Sequence, residues 1–369
     1  MPRSSEIIII GGGVVGAACG RELARAGRKV LILERGHTQG AAWQAAAGML
    51  APQIEAGQDD PMFELGLAAR EYYSLAAVEL AESTGIDIGL WQEGIARIAT
   101  LEGEAAELRA RVAWQRQRGH RCDWFDADEV GHRWPWLGQT LGALWAPEEG
   151  ALDPHRLVAA LLKDAELAGA EVVADQVTAL ARHGDRVTGV IGNERYAADQ
   201  VIICGGAWSG RIANLPRPVS VEPVRGQMVA LPWPSNVPRA IVYGAGGYLL
   251  ARGEEAIAGS TMEHTGFEAE VTSAGIARIL RAATTICPVL SQHEVIRTWA
   301  GLRPMTPDGL PIIGAEPTIR GLWYATGHGR NGILLAGITG TIISRMLAGE
   351  TGIDHMAPLK PDRFWSWGE

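Results

Sequence analysis

The sequence predicts an α/β chain in which a domain built on a parallel sheet is collected from separated segments and carries an inserted antiparallel β-sheet domain. Three observations predict it. A β-branched run, Ile7 to Ile10, leads through a glycine-rich turn into a helical pattern. A second strand of the same buried type, "QVIICGG", returns far downstream at 200–206. Between about 219 and 300 the apolar residues alternate with period two and do not repeat a strand–helix unit.

The length of 369 residues suggests about two domains at roughly 150 residues each. Hydrophobic residues make up 47% and charged residues 20%, a globular composition. A net charge of −9 supplies no basic field, which argues against nucleic acid or anionic lipid as partner. No stretch reaches the ~18 apolar residues of a membrane span. Four cysteines lie scattered without CxxC spacing, and the nine histidines show no metal-ligand spacing, so no metal site is expected. Cys19, Cys204 and Cys287 sit in apolar runs and read as buried thiols of a reducing, cytoplasmic compartment. The N-terminal "MPRSSEIIIIGGGVVGAAC" faintly resembles a lipoprotein leader, but Glu6 and the glycines interrupt it, and the glycine spacing has another explanation.

That explanation starts at the first strand. Ile7 to Ile10 suit a strand covered on both faces. Gly11, Gly13 and Gly16 form G-x-G-x-x-G: the first permits a tight turn, the second admits a pyrophosphate, and the third lets helix and strand pack closely. The helix runs to Ala26 with Gly27 as its stop, and its N-terminal amides face the phosphates. A second strand, Val30 to Leu33, ends in Glu34, placed to accept from ribose hydroxyls. A Rossmann-like nucleotide site follows, and the fingerprint leaves FAD and NAD equally open.

Further along, "AAAGMLAP" (45–52) is a run of small residues suited to packing against a flat ligand. Helices are expected from Pro61 to Gly85, over 103–119, and over 152–169 with Asp153 as N-cap and Pro154 in the first turn. "GQMVAL", "AIVYG", "GYLLARG" and "EAIAGSTM" read as antiparallel strands. A last strand, Leu322 to Ala325, meets glycines, and a helix starts near Asn331 with Gly332, Gly337 and Gly340 along it. Its positive end suits an anionic group, while its small residues suit helix packing equally. The parallel-sheet domain is therefore assigned 1–85, 147–218 and 300–369, and the inserted domain 86–146 and 219–299.

Taken in order, "IIGGGVVG", "ERG", "AAAGML", "VIICGGAWS", "WAGLRPMTPDGLPIIG" and "GHGRNGILLAGITG" resemble the FAD-dependent D-amino-acid oxidase family over nearly the whole chain, and within it the glycine oxidase branch that serves thiazole formation in thiamine biosynthesis. The resemblance implies a domain that binds FAD and a second domain whose antiparallel sheet covers the flavin. It implies that Val15, Glu34, Arg35, Ala47, Gly48 and Met49 contact FAD, with Val177 at the adenine. His328, Gly329, Arg330, Asn331, Gly332 and Ile333 would follow the flavin's pyrimidine edge. Arg303 matches the arginine that binds the substrate carboxylate and Tyr248 a tyrosine lining the substrate site, with Arg330 nearby. The implied reaction is oxidative deamination of glycine, and of sarcosine or small D-amino acids, by hydride transfer to flavin N5. Oxygen is the acceptor, and glyoxylate, ammonia and hydrogen peroxide are the products.

On its own, Arg303 in "WAGLRPMTP" reads first as a stem laid on apolar surface with its head in water. In context, alternation puts Trp299, Gly301 and Arg303 on one face, Gly301 is expected to leave room beside the guanidinium, and Pro304 holds Arg303 extended. A planar fork then binds a carboxylate at two points. Two departures from the family pattern stand out. Ala42, Trp43 and Gln44 replace hydroxyl residues before "AAAGML", and Gly301 takes the place of the flavin-linking cysteine of related enzymes, so non-covalent FAD is expected. "YGAGGY" (243–248) is poor in side chains and suggests a wider pocket. A D-amino-acid dehydrogenase using a quinone, a sarcosine or D-proline oxidase, and a regulatory protein with a dead site remain open, as does a homo-oligomer.

Overall fold

The computed structural model describes residues 3–36, 39–58 and 60–364. Its first sheet runs Ile312–Ala315, Leu322–Thr326, Arg195–Ile203, Arg3–Ile10, Val30–Glu34, Glu171–Ala174. The ladders from Leu322–Thr326 to Glu171–Ala174 are all parallel. Ile7 to Ile10 lie between Val30–Leu33 and Gln200–Ile203, and all four are buried, as a run covered on both faces requires. Arg186–Ile191 and Ala179–His183 extend the sheet as an antiparallel hairpin. Helix Val14–Arg25 covers one face with helices Phe63–Thr84, Pro154–Leu167 and Gly332–Leu347. Gly85 ends the second of these in a left-handed conformation (φ 73°), and Asp153 caps the third by accepting from His155 N and Arg156 N, both as expected.

The second sheet runs Arg297–Met305, Glu222–Pro232, Glu255–Gly259, Gly247–Arg252, Ile241–Gly244, Ile95–Ala99, Gly142–Ala146, Asp123–Asp126. It is antiparallel except where Ile241–Gly244 lies parallel to Ile95–Ala99. It draws on both segments assigned to the inserted domain. The strand carrying Arg303 crosses the expected boundary at 299/300 and stays in this sheet to Met305, because its ladder with Glu222–Pro232 is continuous over that length. One helix, Ser273–Ile286, lies in the stretch read as strands. Its signal was present: Thr272 is an N-cap, and Ile276, Ile279, Leu280, Ala283 and Ile286 recur at helical spacing. Among the described residues no helix is long and apolar enough to cross a membrane.

Candidate active site

A cavity of about 1020 Å³ runs from the glycine turn, between the two sheets, to Arg303. That volume sits at the top of the roughly 300–1,000 Å³ usual for ligand pockets, so it suits a dinucleotide together with a small substrate. At its nucleotide end Gly11 has φ +101°, and a Cβ there would lie 2.7 Å from the Cys204 carbonyl oxygen, so a side chain is excluded twice over. A Cβ on Gly16 would lie 1.9 Å from the Gly11 carbonyl oxygen. Gly16 is thus a packing glycine behind the turn, and of the expected site residues it alone is not on the cavity wall. Gly13 faces the cavity beneath the Trp43 ring. The Glu34 carboxylate accepts from Gly12 N at 2.6 Å and so stands over the turn. Arg35 lies 4.0 Å over the Trp208 ring.

FAD fits this cradle on a feature of the backbone. Helices Val14–Arg25 and Gly332–Leu347 both open onto the cavity, and neither has a side-chain N-cap. Their first amides therefore remain available to acceptors on a ligand, as a pyrophosphate and an electron-rich ring edge would provide. Ala47, Gly48, Met49 and Val177 line the same cavity, as do His328 to Ile333. Arg252 donates to the Ala47 carbonyl and fixes the small-residue segment from behind. Gly337 and Gly340 point elsewhere: their Cβ positions would meet Tyr72 and the Ala18 carbonyl, so these two serve helix packing.

At the far end, Arg303 donates from Nη1 to the Thr261 carbonyl at 3.0 Å and from Nη2 to Ser260 Oγ at 2.6 Å. These bonds hold the guanidinium plane at the cavity wall. The room beside it comes from Gly226, not from Gly301. Gly226 is the diagonal neighbour of Arg303 on the adjacent strand, and a Cβ there would lie 2.0 Å from Nη1. Gly301 instead admits Ala45, whose Cβ would lie 2.5 Å from one on Gly301, and so docks the small-residue segment onto the sheet. Burial lowers the Arg303 pKa while Tyr248 opposes this, and a guanidinium stays charged.

Tyr248 shares this end of the cavity, its hydroxyl 3.2 Å from Met228 Sδ. Burial raises its pKa against the pull of Arg303, which keeps the hydroxyl protonated and able to donate. Arg330 bonds Glu55 at 2.9 Å, and the Tyr243 hydroxyl bonds the same carboxylate oxygen at 3.0 Å. His328 is buried against Thr339 Oγ1 at 3.0 Å, and burial holds its pKa down at about 3. It is neutral and structural, not a base. Sequence reasoning missed Glu55, Tyr243, Gly226, Ser260 and Thr261. Only "YGAGGY" carried a signal, for Tyr243, and it was read as empty space.

Gly226→Ala gives a direct check of this geometry. The added methyl should push the guanidinium from its two acceptors and, for the amino-acid substrate that the sequence resemblance implies, raise KM about tenfold or more, equivalent to ~1.4 kcal/mol. Flavin absorbance per protein should not change. Steady-state kinetics on the yellow protein measure both.

A dinucleotide cradle on a parallel sheet, closed by an antiparallel sheet that presents a cation, is the arrangement of a flavin-dependent oxidoreductase. The chain belongs to the DAO family, FAD dependent oxidoreductase, whose model matches residues 6–346. It is 35% identical to the glycine oxidase of Geobacillus kaustophilus, over 98% of this chain and 98% of that protein. It superposes on the crystal structure of glycine oxidase from Geobacillus kaustophilus with a TM-score of 0.92 at 33% identity, covering 98% of this chain and 99% of that one. It is also 35% identical to the bifunctional protein ThiO/ThiG of a Nostoc species, over 93% of this chain and 52% of that protein.

Proposed function

We propose that this chain oxidises glycine, and with it sarcosine and small D-amino acids, to the corresponding oxo acid and ammonia or amine, with oxygen as acceptor, and that the glycine reaction serves thiazole formation in thiamine biosynthesis. The observation that carries this reading is the Arg303 guanidinium, clamped by the Thr261 carbonyl and Ser260 Oγ at the end of a cavity that begins at a nucleotide-type glycine turn. The likeness to glycine oxidases over the full length supports the choice of substrate. The first sheet's domain holds FAD and the second sheet covers the substrate.

Arg303 takes the substrate carboxylate at two points, which fixes the direction of the Cα–H bond. Tyr248 donates its hydroxyl to the same end of the cavity. Arg330 is paired with Glu55, so the two together add no net charge to this end. Among the described residues at this end none is free to act as a base: His328 is neutral and turned to Thr339, both tyrosines are held protonated by burial, and the Glu55 carboxylate is taken up by Tyr243 and Arg330. The amine therefore enters in its neutral form and its lone pair completes the C=N bond as hydride leaves. FAD, when bound, would supply the acceptor for that hydride and the means to pass both electrons on to oxygen. The cavity walls shield the carboxylate–guanidinium pair from water, which strengthens it.

An oxygen electrode with glycine, coupled to glyoxylate and ammonia assays, tests the reading. Flavin bleaching by glycine without oxygen uptake would mean a dehydrogenase, and no bleaching by any small amino acid would mean a binding protein. The cofactor should also leave on acid denaturation. Position 301 is glycine, and Cys204, the cysteine that lines the cavity among the described residues, is buried. Flavin retained on the precipitate would contradict a non-covalent link.

A further inference from the structure

Glu149 has no part in the reaction above, yet its carboxyl group is wholly buried. Its oxygens accept from Gln53 N and, at 3.3 Å, from Ile54 N. These are amides of the first turn of the four-residue helix Pro52–Glu55, which a helix cannot satisfy itself. At the other end of that helix the Ile54 carbonyl accepts from Arg97 at 3.1 Å and from Arg111 at 2.7 Å. The Gln53 side chain is held as well, by Gln115 and the Arg121 carbonyl at 3.0 Å each and by Arg70 at 2.8 Å. A helix this short has no stability of its own, so these partners hold its shape. What it carries is Glu55, the carboxylate that accepts from both Tyr243 and Arg330.

We propose that Glu149 is a positioning residue: by capping Pro52–Glu55 from across the fold it fixes Glu55, and through Glu55 the Arg330 guanidinium and the Tyr243 hydroxyl, at the substrate end of the cavity. The inference rests on the reading that this end takes an amino-acid carboxylate. Burial pushes the Glu149 carboxyl up to about 8, and a glutamine keeps the side-chain oxygen that accepts from Gln53 N, so it is the close mimic.

The test uses the holoenzyme at neutral pH. Glu149→Leu keeps the volume and removes both acceptors. It should raise KM for glycine about five- to tenfold and weaken acetate binding, read from the flavin spectrum, by a similar factor, with kcat changed less than about twofold and flavin content unchanged. Glu149→Gln should return both to within about twofold of wild type. If Glu149→Leu does not fold, Arg111→Met loosens the other end of the helix and should raise the same KM about two- to threefold. A lowered Tm with unchanged KM and acetate affinity, or a glutamine variant as impaired as the leucine one, overturns the proposal. A wild-type enzyme that is inactive on glycine but whose acetate affinity follows the same order of variants would overturn the assigned reaction and leave the positioning role supported.

Discussion

An Arg303→Met enzyme should lose about a hundredfold or more in kcat/KM for glycine while keeping its flavin. Hydrogen bonds that involve a charged group contribute about 1.5–3 kcal/mol each, so a lost bidentate pair removes about 3–6 kcal/mol. At ~1.4 kcal/mol per tenfold that is at least two decades. Methionine keeps the length and the apolar stem, so the strand Arg297–Met305 retains its ladder. It leaves Ser260 Oγ and the Thr261 carbonyl without their donor. A Tm measurement therefore accompanies the kinetics, to separate a loss of stability from a loss of substrate binding. Flavin content should hold, because the glycine turn, Glu34 and the 45–49 segment lie along other parts of the cavity wall. Arg303→Lys should recover little: an ammonium restores charge but reaches only one of the two acceptors and offers no planar fork to a carboxylate. An arginine that merely covered apolar surface would tolerate both changes. Turnover by Arg303→Met within about threefold of wild type would reject the assignment.

Arg303 and the glycine turn were legible in the sequence for different reasons. The turn is local: Gly11, Gly13, Gly16 and Glu34 lie in one strand–helix–strand unit, and each constraint acts between residues near in sequence, as when Gly16 faces the Gly11 carbonyl. The glycine spacing therefore states the structure. Arg303 was singled out by its resemblance to a family, and its surroundings were then misread. Gly301 is close in sequence and was credited with the room that Gly226 provides. The reason is strand register: Gly226 reaches Arg303 only because Val224 pairs with Arg303, and no pattern in either segment specifies that pairing. Glu55 was invisible for a related reason. "PQIEAG" is too short to announce a helix, and the groups that hold it, Glu149, Arg97 and Arg111, come from three distant segments. The helix Ser273–Ile286 is a different kind of miss: its periodicity was readable, but the strands before it set the expectation.

Gly13→Val should give a colourless protein that folds. Gly13 has φ −66° and ψ −178°, ordinary extended backbone that valine adopts without strain, and it precedes the helix Val14–Arg25 as its N-cap. The backbone has no objection to a side chain there; the cavity does. A Cβ would already stand 3.3 Å from Trp43 Cδ1, and the two γ-carbons of valine would extend into the space in which a pyrophosphate meets the first amides of the helix. FAD stabilises the native state by RT ln(1 + [L]/Kd), so the variant should also lose the rise in Tm that added FAD gives the wild-type apoprotein. Gly27→Ala is the matching control. It substitutes a glycine at φ +78° with nothing within 4 Å of the new Cβ, so it should cost stability of roughly 1 kcal/mol while flavin binding survives. The two glycines thus separate strain from occlusion: one tolerates a side chain in the backbone and not in the cavity, the other the reverse. A yellow Gly13→Val protein whose Tm still rises with FAD would show that the pyrophosphate does not approach this turn.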